Sequence, residues 1–519
     1  MTLPNILFII TDQLRPDHTG FGGNKIVKTP NLDRLAEESM QFERTFTTHP
    51  ICGPSRRTVL TGRMPSVHGA WDNGTPLDWD ANTFVRVLRE NGYRTGHIGK
   101  SHLQEMFDVP PDMKGAPDLY FLSGEGEAVN PKREDGWDTW EYGARHQKEW
   151  VEMPEDYYGF DHVELVCGHN DRPSGHYIHW ARERGLDEST MGGPKNALKR
   201  FDSWNQIYQS STPKELYPTS YVTERCVKFL EKSQDDDRPF FLFASFPDPH
   251  HPFSPPSHYY DMYDADEIPL PATFHDSHKD SMPYVQELVA NRGNNHRGPF
   301  PFCMDEDQFR KASAVEYGSI TMLDEGIGQI METLKRLGLD ENTVVVFTSD
   351  HGDAFGDHGL MLKHAVHYQG VIQVPLLIRA PGMAAGKCGS LVSLLDIGQT
   401  VLDLASCPEY KGMQGHSLSP ILQGSAESVR DRVLVEEGMP VDVTGLGSAY
   451  CLRTLVTDEA RLTIYDGFEH GELFDLKHDP DEMNNLFAKP EGQQLRAEMM
   501  EKLLYTLMAY SHYGKAPEV

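Results

Sequence analysis

Short apolar runs that end in polar, chemically reactive residues recur along the chain. Four of them are too short for a core helix and are bounded by polar residues, which is typical of buried strands. They span Ile6 to Ile10, Thr95 to Ile98, Phe240 to Phe246 and Thr343 to Thr348. Stretches with apolar residues at helical spacing alternate with these runs, over Thr83 to Glu90, Ser220 to Lys232 and Met322 to Leu337. This alternation predicts an α/β fold with a large mixed, mostly parallel sheet flanked by helices.

Each predicted strand is followed closely by residues that can carry chemistry. Asp12 follows the first strand, Lys100 and His102 the second, His250 the third and Asp350 the fourth. In open α/β sheets, ligands bind outside the carboxyl ends of the strands. We therefore expect these side chains to meet in one crevice.

Two segments have a different character. Residues 107 to 215 are rich in Pro, Gly, Asp, Trp and Tyr and show weak periodicity, which indicates long excursions that shape a substrate pocket. From about residue 426, short strand-like runs precede a closing helix near Gln493 to Tyr510, as in a small antiparallel sheet with a helix packed on it. The sequence thus predicts a catalytic domain over residues 1–425 and a C-terminal α+β subdomain over residues 426–519.

Composition narrows the class of protein. The chain has 519 residues, of which 38% are apolar, enough for a sizeable core. A net charge of −30 repels phosphate backbones and disfavours nucleic acid, so an anionic substrate needs a local cluster of cations. No stretch approaches the roughly 20 apolar residues of a membrane span. Seven scattered cysteines and the lack of a basic, apolar leader predict a cytoplasmic protein with free thiols.

Cys52 stands at the start of a predicted helix, in the stretch Cys52-Gly-Pro-Ser-Arg56. A helix N-terminus and neighbouring arginines lower the pKa of a thiol, so a thiolate nucleophile is one interpretation and a buried structural cysteine is the other. A tyrosine-phosphatase loop is excluded because Thr58 stands where an arginine is required. A phosphate loop at Gly99-Lys100-Ser101 is excluded because Arg94 stands where a glycine is required.

The longer stretch CGPSRRTVLTGR, from Cys52 to Arg63, resembles the signature of the sulfatase family in the alkaline phosphatase superfamily. In that family the cysteine is oxidised to a formylglycine aldehyde. The resemblance runs along nearly the whole chain and is weakest over residues 107 to 215. Further matching blocks are Asn5 to Asp12, Thr343 to Gly352, Val392 to Ala405, Gly415 to Gly424 and Glu472 to Leu476.

The resemblance implies an arylsulfatase-like sulfuric ester hydrolase, matured by a formylglycine-generating enzyme and acting on a small anionic ester. One hydroxyl of the hydrated aldehyde would attack sulfur and expel the alcohol, and the other would then eject sulfate and restore the aldehyde. Asp350 would take the proton of the nucleophile. The cationic and imidazole residues have implied roles as follows: Arg56 and Lys100 hold the formylglycine hydroxyls, His102 is the base, and His250 and Lys363 bind the sulfate and leaving oxygens, one of them as general acid.

A divalent metal ion is the second implied cofactor. The residues expected to hold it are Asp12, Gln13, the modified Cys52, Asp350 and His351. Carboxylate and amide oxygens suit Ca²⁺ foremost or Mg²⁺, and the imidazole admits Mn²⁺ or Zn²⁺. The metal would polarise a sulfuryl oxygen and lower the pKa of the nucleophile.

The candidate site residues resemble two related groups of hydrolases. Gln13 and a substrate-binding Asn73 resemble the phosphonate monoester hydrolases, whereas Lys100 and His102 favour a sulfate monoester. A phosphonate monoester or phosphodiester hydrolase with the same nucleophile is therefore the alternative function. A catalytically inactive binding protein is a third hypothesis, which the complete residue set disfavours. The leaving group and the oligomeric state, including a homo-oligomer, stay open, and no role is assigned to His358, His364 and His367.

Overall fold

A computed structural model describes residues 3–106, 136–294, 300–439 and 450–511. The strands of the described residues are β1 Asn5–Thr11, β2 Met40–Phe46, β3 Arg94–Gly99, β4 His162–Cys167, β5 Ser174–Gly175, β6 Lys199–Arg200, β7 Tyr208–Gln209, β8 Phe240–Ser245, β9 Phe302–Cys303, β10 Thr343–Ser349, β11 Leu360–Met361, β12 Gln373–Val374, β13 Leu376–Arg379, β14 Gly386–Ser393, β15 Arg432–Met439, β16 Tyr450–Thr457, β17 Ala460–Tyr465 and β18 Gly471–Asp475.

The large sheet has ten strands. Its order is β12-β2-β13-β10-β1-β8-β3-β4-β5, and β14 pairs with β2. The five strands β10, β1, β8, β3 and β4 run parallel to one another, whereas β5, β12 and β13 pair antiparallel. The prediction of a large mixed, mostly parallel sheet is confirmed, and all four predicted strands lie in its parallel centre.

Helices cover both faces of this sheet. The α-helices are α1 Pro30–Glu37, α2 Cys52–Thr61, α3 Pro65–His68, α4 Phe84–Glu90, α5 Gly143–Lys148, α6 His176–Glu183, α7 Pro218–Lys232, α8 Pro283–Ala290, α9 Glu306–Arg336, α10 Gln369–Ile372, α11 Ile397–Leu404, α12 Ser419–Leu422 and α13 Gln493–Tyr510. In β1, Leu7 and Ile9 belong to the core formed with α7 and α9, whereas Ile6 and Phe8 belong to the core formed with α2, α4 and α11. Because both faces are buried, the strand reads as a continuous apolar run.

Two elements differ from the sequence-based expectation. Helix α9 begins at Glu306, sixteen residues before the predicted start, with Asp305 and Gln308 forming a capping box. Its first half is buried on most sides, which hides the amphipathic pattern. Residues 107 to 215 were expected to form only long excursions. Their described part also contains β4, which extends the parallel sheet beyond β3. Residues 107–135 lie outside the described residues.

The C-terminal region forms a four-stranded antiparallel sheet in the order β15-β16-β17-β18, with α13 packed on it. The small sheet and its helix are confirmed, although the sequence pattern did not indicate β16. The domain boundary between residues 425 and 426 stays a prediction. Among the described residues, no helix combines the length and the apolar character needed to cross a membrane.

Candidate active site

Helix α2 places Cys52 at its first position. Ile51 before it is extended, Pro54 lies in the first turn, and Gly62 ends the helix in a left-handed conformation. Every residue of α2 is buried, which is unusual for a helix that carries two arginines. The sulfur of Cys52 lies 3.2 Å from Nε2 of His351 and 3.5 Å from Oδ1 of Asp12. The thiol is thus at a buried helix N-terminus, against residues from two different strand ends.

The carboxyl ends of the parallel strands supply most of the other groups. Asp12 follows β1, Lys100 follows β3, His250 lies beyond β8, and Asp350 with His351 follows β10. Their exposed fractions are 7% or less, so the groups act on one another in an environment nearly free of water. The structure brings together the strand-end residues that the sequence had placed far apart.

Two buried carboxylates are paired with cations. Lys100 Nζ bonds to Oδ2 of Asp12, and Arg56 Nε bonds to Oδ2 of Asp350 at 2.7 Å. Burial acts to raise the pKa of Asp12, but the surrounding charged and hydrogen-bonding groups, Lys100 foremost, together outweigh it and hold this pKa well below its usual value. Burial raises the pKa of Asp350. Arg56 Nη1 also donates to Ser245 Oγ at 2.7 Å, so the guanidinium spans two strand ends.

A second group of contacts centres on Gln13 and Lys363. Lys363 Nζ lies 2.6 Å from Oε1 of Gln13 and 2.9 Å from Nε2 of His250. Nδ1 of His251 lies 3.0 Å from the same oxygen of Gln13. Burial lowers the pKa of both His250 and His251 well below the usual value, so both rings are neutral near pH 7. A neutral imidazole beside an ammonium can either accept or pass on a proton.

Four side chains offer ligand atoms for a metal ion. Oxygen atoms of Asp12 and Asp350, the Cys52 sulfur and a ring nitrogen of His351 all lie within 4.8 Å of one another. Nδ1 of His351 bonds to the carbonyl of Gly352 at 2.8 Å, which turns Nε2 toward this cluster. This donor set, with an oxygen in place of the sulfur, fits a hard divalent cation. Gln13 contributes its backbone N–H to Asp350 and its side chain to Lys363, and its ligation stays a prediction.

The charges around Cys52 favour an anion. Burial and the Asp12 carboxylate act to raise the pKa of the thiol. The cations outweigh them and hold this pKa well below its usual value, with contributions from Lys100, His351 and Lys363. An anionic oxygen, or the sulfate of an ester, would meet the same favourable field.

His102 adjoins this cluster from the loop after β3. Its backbone is left-handed, with φ at +59°. The buried carboxylate of Glu141 holds this loop by accepting hydrogen bonds from the backbone N–H groups of His102, Leu103 and Gln104, at 2.8, 3.0 and 3.0 Å. Burial lowers the pKa of His102 to about 3, so the ring is neutral near pH 7.

Asn73 lies beside the helix start rather than at a strand end. Its Oδ1 accepts a hydrogen bond from the N–H of Gly53 at 2.9 Å, within the first turn of α2. The contact orients the residue next to the nucleophile position. The contact of Asn73 with substrate stays a prediction.

The sequence pattern missed His169, which follows β4. Its Nε2 lies 2.5 Å from Lys100 Nζ and 3.5 Å from Asp12 Oδ2, and its ring stacks on His250 with centroids 3.9 Å apart. The side chain is 13% exposed, more than the groups around it, so it lies at the mouth of the site. The signal was present, because β4 is another apolar run followed by a polar residue. Glu164 within the strand obscured it.

Comparisons with known proteins find matches along most of the chain. The family model "Sulfatase" matches residues 4–407, and the model "N-sulphoglucosamine sulphohydrolase, C-terminal" matches residues 356–508. An arylsulfatase of Clostridium perfringens is 29% identical, with 96% of this chain and 93% of that protein covered.

Two solved structures share the fold. The phosphonate monoester hydrolase SpPMH from Silicibacter pomeroyi superimposes with a TM-score of 0.78 at 23% identity, over 98% of this chain and 96% of that one. A structure determined in complex with its substrate D-glucosamine-2-N,6-O-disulfate gives a TM-score of 0.72 at 21% identity, over 98% of both chains. With the family model spanning most of the sequence, the chain belongs to the sulfatase family.

Proposed function

We propose that this sulfatase hydrolyses sulfate monoesters with a formylglycine made from Cys52 and one divalent metal ion. A single observation carries the proposal: Cys52 lies at the buried start of α2, within 3.5 Å of both Asp12 and His351. Cationic and imidazole groups from the other strand ends surround it. A hydrated aldehyde at this position supplies a nucleophilic hydroxyl in place of the thiol.

The residues that would hold the metal are Asp12, Asp350 and His351, together with the modified Cys52 and Gln13. Their oxygens favour Ca²⁺, with Mn²⁺, Mg²⁺ and Zn²⁺ as alternatives because of the imidazole. Bound there, a divalent cation supplies Lewis-acid polarisation of a sulfuryl oxygen and lowers the pKa of the nucleophile.

The remaining residues bind the substrate and move protons. Arg56 and Lys100 hold the formylglycine hydroxyls, whereas His250 and Lys363 bind the sulfate oxygens and the alcohol oxygen, on which negative charge develops as its bond to sulfur breaks. Asp350, whose pKa burial raises, takes the proton of the nucleophile. His102, whose ring is neutral near pH 7, accepts the proton in the step that releases sulfate. His250 or Lys363, 2.9 Å apart, delivers a proton to the leaving alcohol oxygen.

The test combines mass and rate. The peptide covering residues 45–56 should carry an aldehyde in place of the Cys52 thiol, and the protein should turn over an aryl sulfate. Cys52→Ala should abolish turnover, and Cys52→Ser should do so as well if the aldehyde rather than a simple hydroxyl is required. An unaffected rate in Cys52→Ala would contradict the assignment of the nucleophile.

Gln13 favours a second candidate function, the hydrolysis of phosphonate monoesters or phosphodiesters with the same nucleophile. SpPMH, with which this chain shares its fold, bears that activity in its name. Lys100 and His102 favour sulfate instead. The two functions are separated by dividing kcat/KM for 4-nitrophenyl sulfate by kcat/KM for 4-nitrophenyl phenylphosphonate. A ratio well below one would make phosphonate hydrolysis the favoured function.

Three further proposals concern the chain as a whole. A formylglycine-generating enzyme is the partner that matures Cys52. The catalytic domain covers residues 1–425 and the C-terminal subdomain residues 426–519. The protein acts in the cytoplasm on a small anionic ester.

A further inference from the structure

The backbone on both sides of Lys363 is strained. Leu362, His364 and Ala365 have φ values of +72°, +94° and +55°, in the left-handed region that residues with a side chain rarely adopt. Lys363 lies between them, and its ammonium reaches Gln13 and His250 in the site. Such a conformation persists only where the surroundings hold it.

Glu437 of the C-terminal sheet contacts this segment directly. It lies in β15, and its exposed fraction is 0%. Both of its carboxylate oxygens accept from the N–H of Ala365, at 3.2 and 3.1 Å. The Glu437 carboxylate thus binds the chain two residues beyond the catalytic lysine.

Three more side chains hold the carboxylate in place. Nε2 of His367 lies 3.0 Å from Oε2, and the Tyr450 hydroxyl donates to Oε1 at 2.6 Å. Nδ1 of His364 lies 3.3 Å from Oε1. Burial raises the pKa of Glu437, but these two histidines outweigh it and keep the group ionised. Two of the three histidines left without a role by the sequence, His364 and His367, therefore contact this buried carboxylate.

The segment is held from its other end as well. The N–H of Leu362 donates to Oδ1 of the buried Asp353 at 2.9 Å, and the N–H of Ala354 donates to the carbonyl of Leu362 at 3.1 Å. Asp353 belongs to the loop that follows β10 of the large sheet. The strained segment is thus bound between a carboxylate of this loop and a carboxylate of the C-terminal sheet.

We propose that Glu437 is a positioning residue for Lys363: its carboxylate fixes the strained segment so that the lysine ammonium reaches the leaving-group side of the site. The inference rests on the proposed function for the role of Lys363 and extends it to the C-terminal subdomain, which makes no other catalytic contribution in the proposal. Without this contact the segment would relax, and the ammonium would no longer be held between Gln13 and His250.

The kinetic test uses Glu437→Gln, with Glu436→Gln as the matched control. Glu436 is the next residue of β15 and is also buried, but it binds the N–H of Ser66 at 2.8 Å and Arg453 at 3.2 Å, away from the strained segment. The rates are measured with two aryl sulfates whose leaving phenols differ in acidity. Glu437→Gln should lower kcat by about 10- to 100-fold, and the loss should be larger for the ester of the less acidic phenol. Glu436→Gln should change kcat less than about threefold.

A double-mutant cycle separates positioning from general destabilisation. In a Lys363→Ala background, Glu437→Gln should cost less than about twofold, because its effect acts through the lysine. An equal loss in both backgrounds, or a loss independent of phenol acidity, would overturn the inference. If Glu437→Gln does not fold, Glu437→Asp enters the same cycle with the same expected and overturning outcomes.

Hydrogen exchange gives a readout that needs no activity. The peptide covering residues 361–368 should exchange faster in Glu437→Gln than in wild type and in Glu436→Gln. Unchanged exchange there would overturn the inference whatever the kinetics. If wild type shows faster turnover of phosphonates than of sulfates, or no turnover of either, the proposed function fails while the exchange result still decides the role of Glu437.

Discussion

Replacing Arg56 with lysine should slow hydrolysis and also lower the free energy of unfolding, by a similar amount of free energy in each case. The guanidinium is 1% exposed and makes three hydrogen bonds, to Asp350, to the carbonyl of Lys100 and to Ser245 Oγ, at 2.7, 2.8 and 2.7 Å. A lysine ammonium at this position keeps the charge and reaches Asp350. It cannot also span the other two acceptors, because it lacks the planar fork.

The cost to stability is limited by the acceptors that remain. Ser245 Oγ also donates to the carbonyl of Lys100 at 2.5 Å, so those two groups stay bonded to each other after the change. Two lost hydrogen bonds of about 1 kcal/mol each predict a loss near 2 kcal/mol in the free energy of unfolding. Arg56→Ala instead leaves the Asp350 charge unpaired and should cost about 3 to 5 kcal/mol.

The cost to the rate comes from the third nitrogen of the fork. Among the described residues, Nη2 of Arg56 has no hydrogen-bond partner, and it lies 4.0 Å from Oδ2 of Asp12. It is therefore available to an oxygen of the nucleophile or the sulfate. Loss of one charge-assisted hydrogen bond, about 1.5 to 3 kcal/mol, lowers kcat/KM by about 10- to 150-fold.

Urea unfolding and initial rates with 4-nitrophenyl sulfate measure the two effects on the same Arg56→Lys preparation. The rates are taken at a temperature where both proteins are fully folded. A kcat/KM within about threefold of wild type would refute the assignment of Nη2 to the reacting oxygens. A loss of stability above about 4 kcal/mol would refute the reasoning about the remaining acceptors.

Four other outcomes follow from the geometry. His169→Ala removes the hydrogen bond to the Lys100 ammonium and should lower kcat about tenfold, which corresponds to one hydrogen bond to a charged group. Tm should change little, and an unchanged kcat would show that His169 takes no part in the reaction. Gly99→Ala should destabilise the protein by about 3 kcal/mol or more in urea unfolding, because φ is +113° and a Cβ would lie 1.7 Å from the carbonyl oxygen of Ser245. Removing the metal with EDTA should abolish turnover, and Ca²⁺ added at 100 times its Kd should restore turnover and raise the free energy of unfolding by about 2.7 kcal/mol; full activity in EDTA would contradict the metal site. Burial raises the pKa of Asp324 to about 6, so between pH 4 and 6 the native carboxyl keeps a proton that the unfolded chain loses, and the free energy of unfolding falls as pH rises. Asp324→Asn should remove up to about 3 kcal/mol of that decline in urea unfolding measured across this pH range, and an unchanged slope would contradict the raised pKa.

The centre of the sheet was predictable because its physical cause is local. A strand with both faces buried must be apolar at every position, and β1, β8 and β10 show this directly in their sequences. The strand β4 was missed because Glu164 interrupts its pattern. In the structure that carboxylate is paired with Arg225 at 2.5 and 2.8 Å, a contact between residues 61 positions apart. No local rule reports such a partner.

The same distinction applies to the candidate site. Groups that follow apolar strands or belong to the Cys52 signature could be named from the sequence. Glu141 and Glu437 could not, because a buried carboxylate that binds backbone N–H groups leaves no pattern around itself. Their partners, near His102 and Ala365, lie about 39 and 72 residues away. Sequence reasoning therefore named most of the groups around Cys52, though not His169, and missed the buried carboxylates that hold the loops in place.

The burial of Cys52 implies that oxidation of this residue must precede the completion of folding. With 1% of its surface exposed, this residue is inaccessible to any modifying enzyme once α2 has closed against β1 and β10. Strand β10 is made some 290 residues after Cys52, so the nascent polypeptide passes through a long interval in which the thiol is in reach. The rates of synthesis and of folding therefore determine how long the Cys52 thiol stays accessible. They also determine what fraction of the molecules can be oxidised before the site closes.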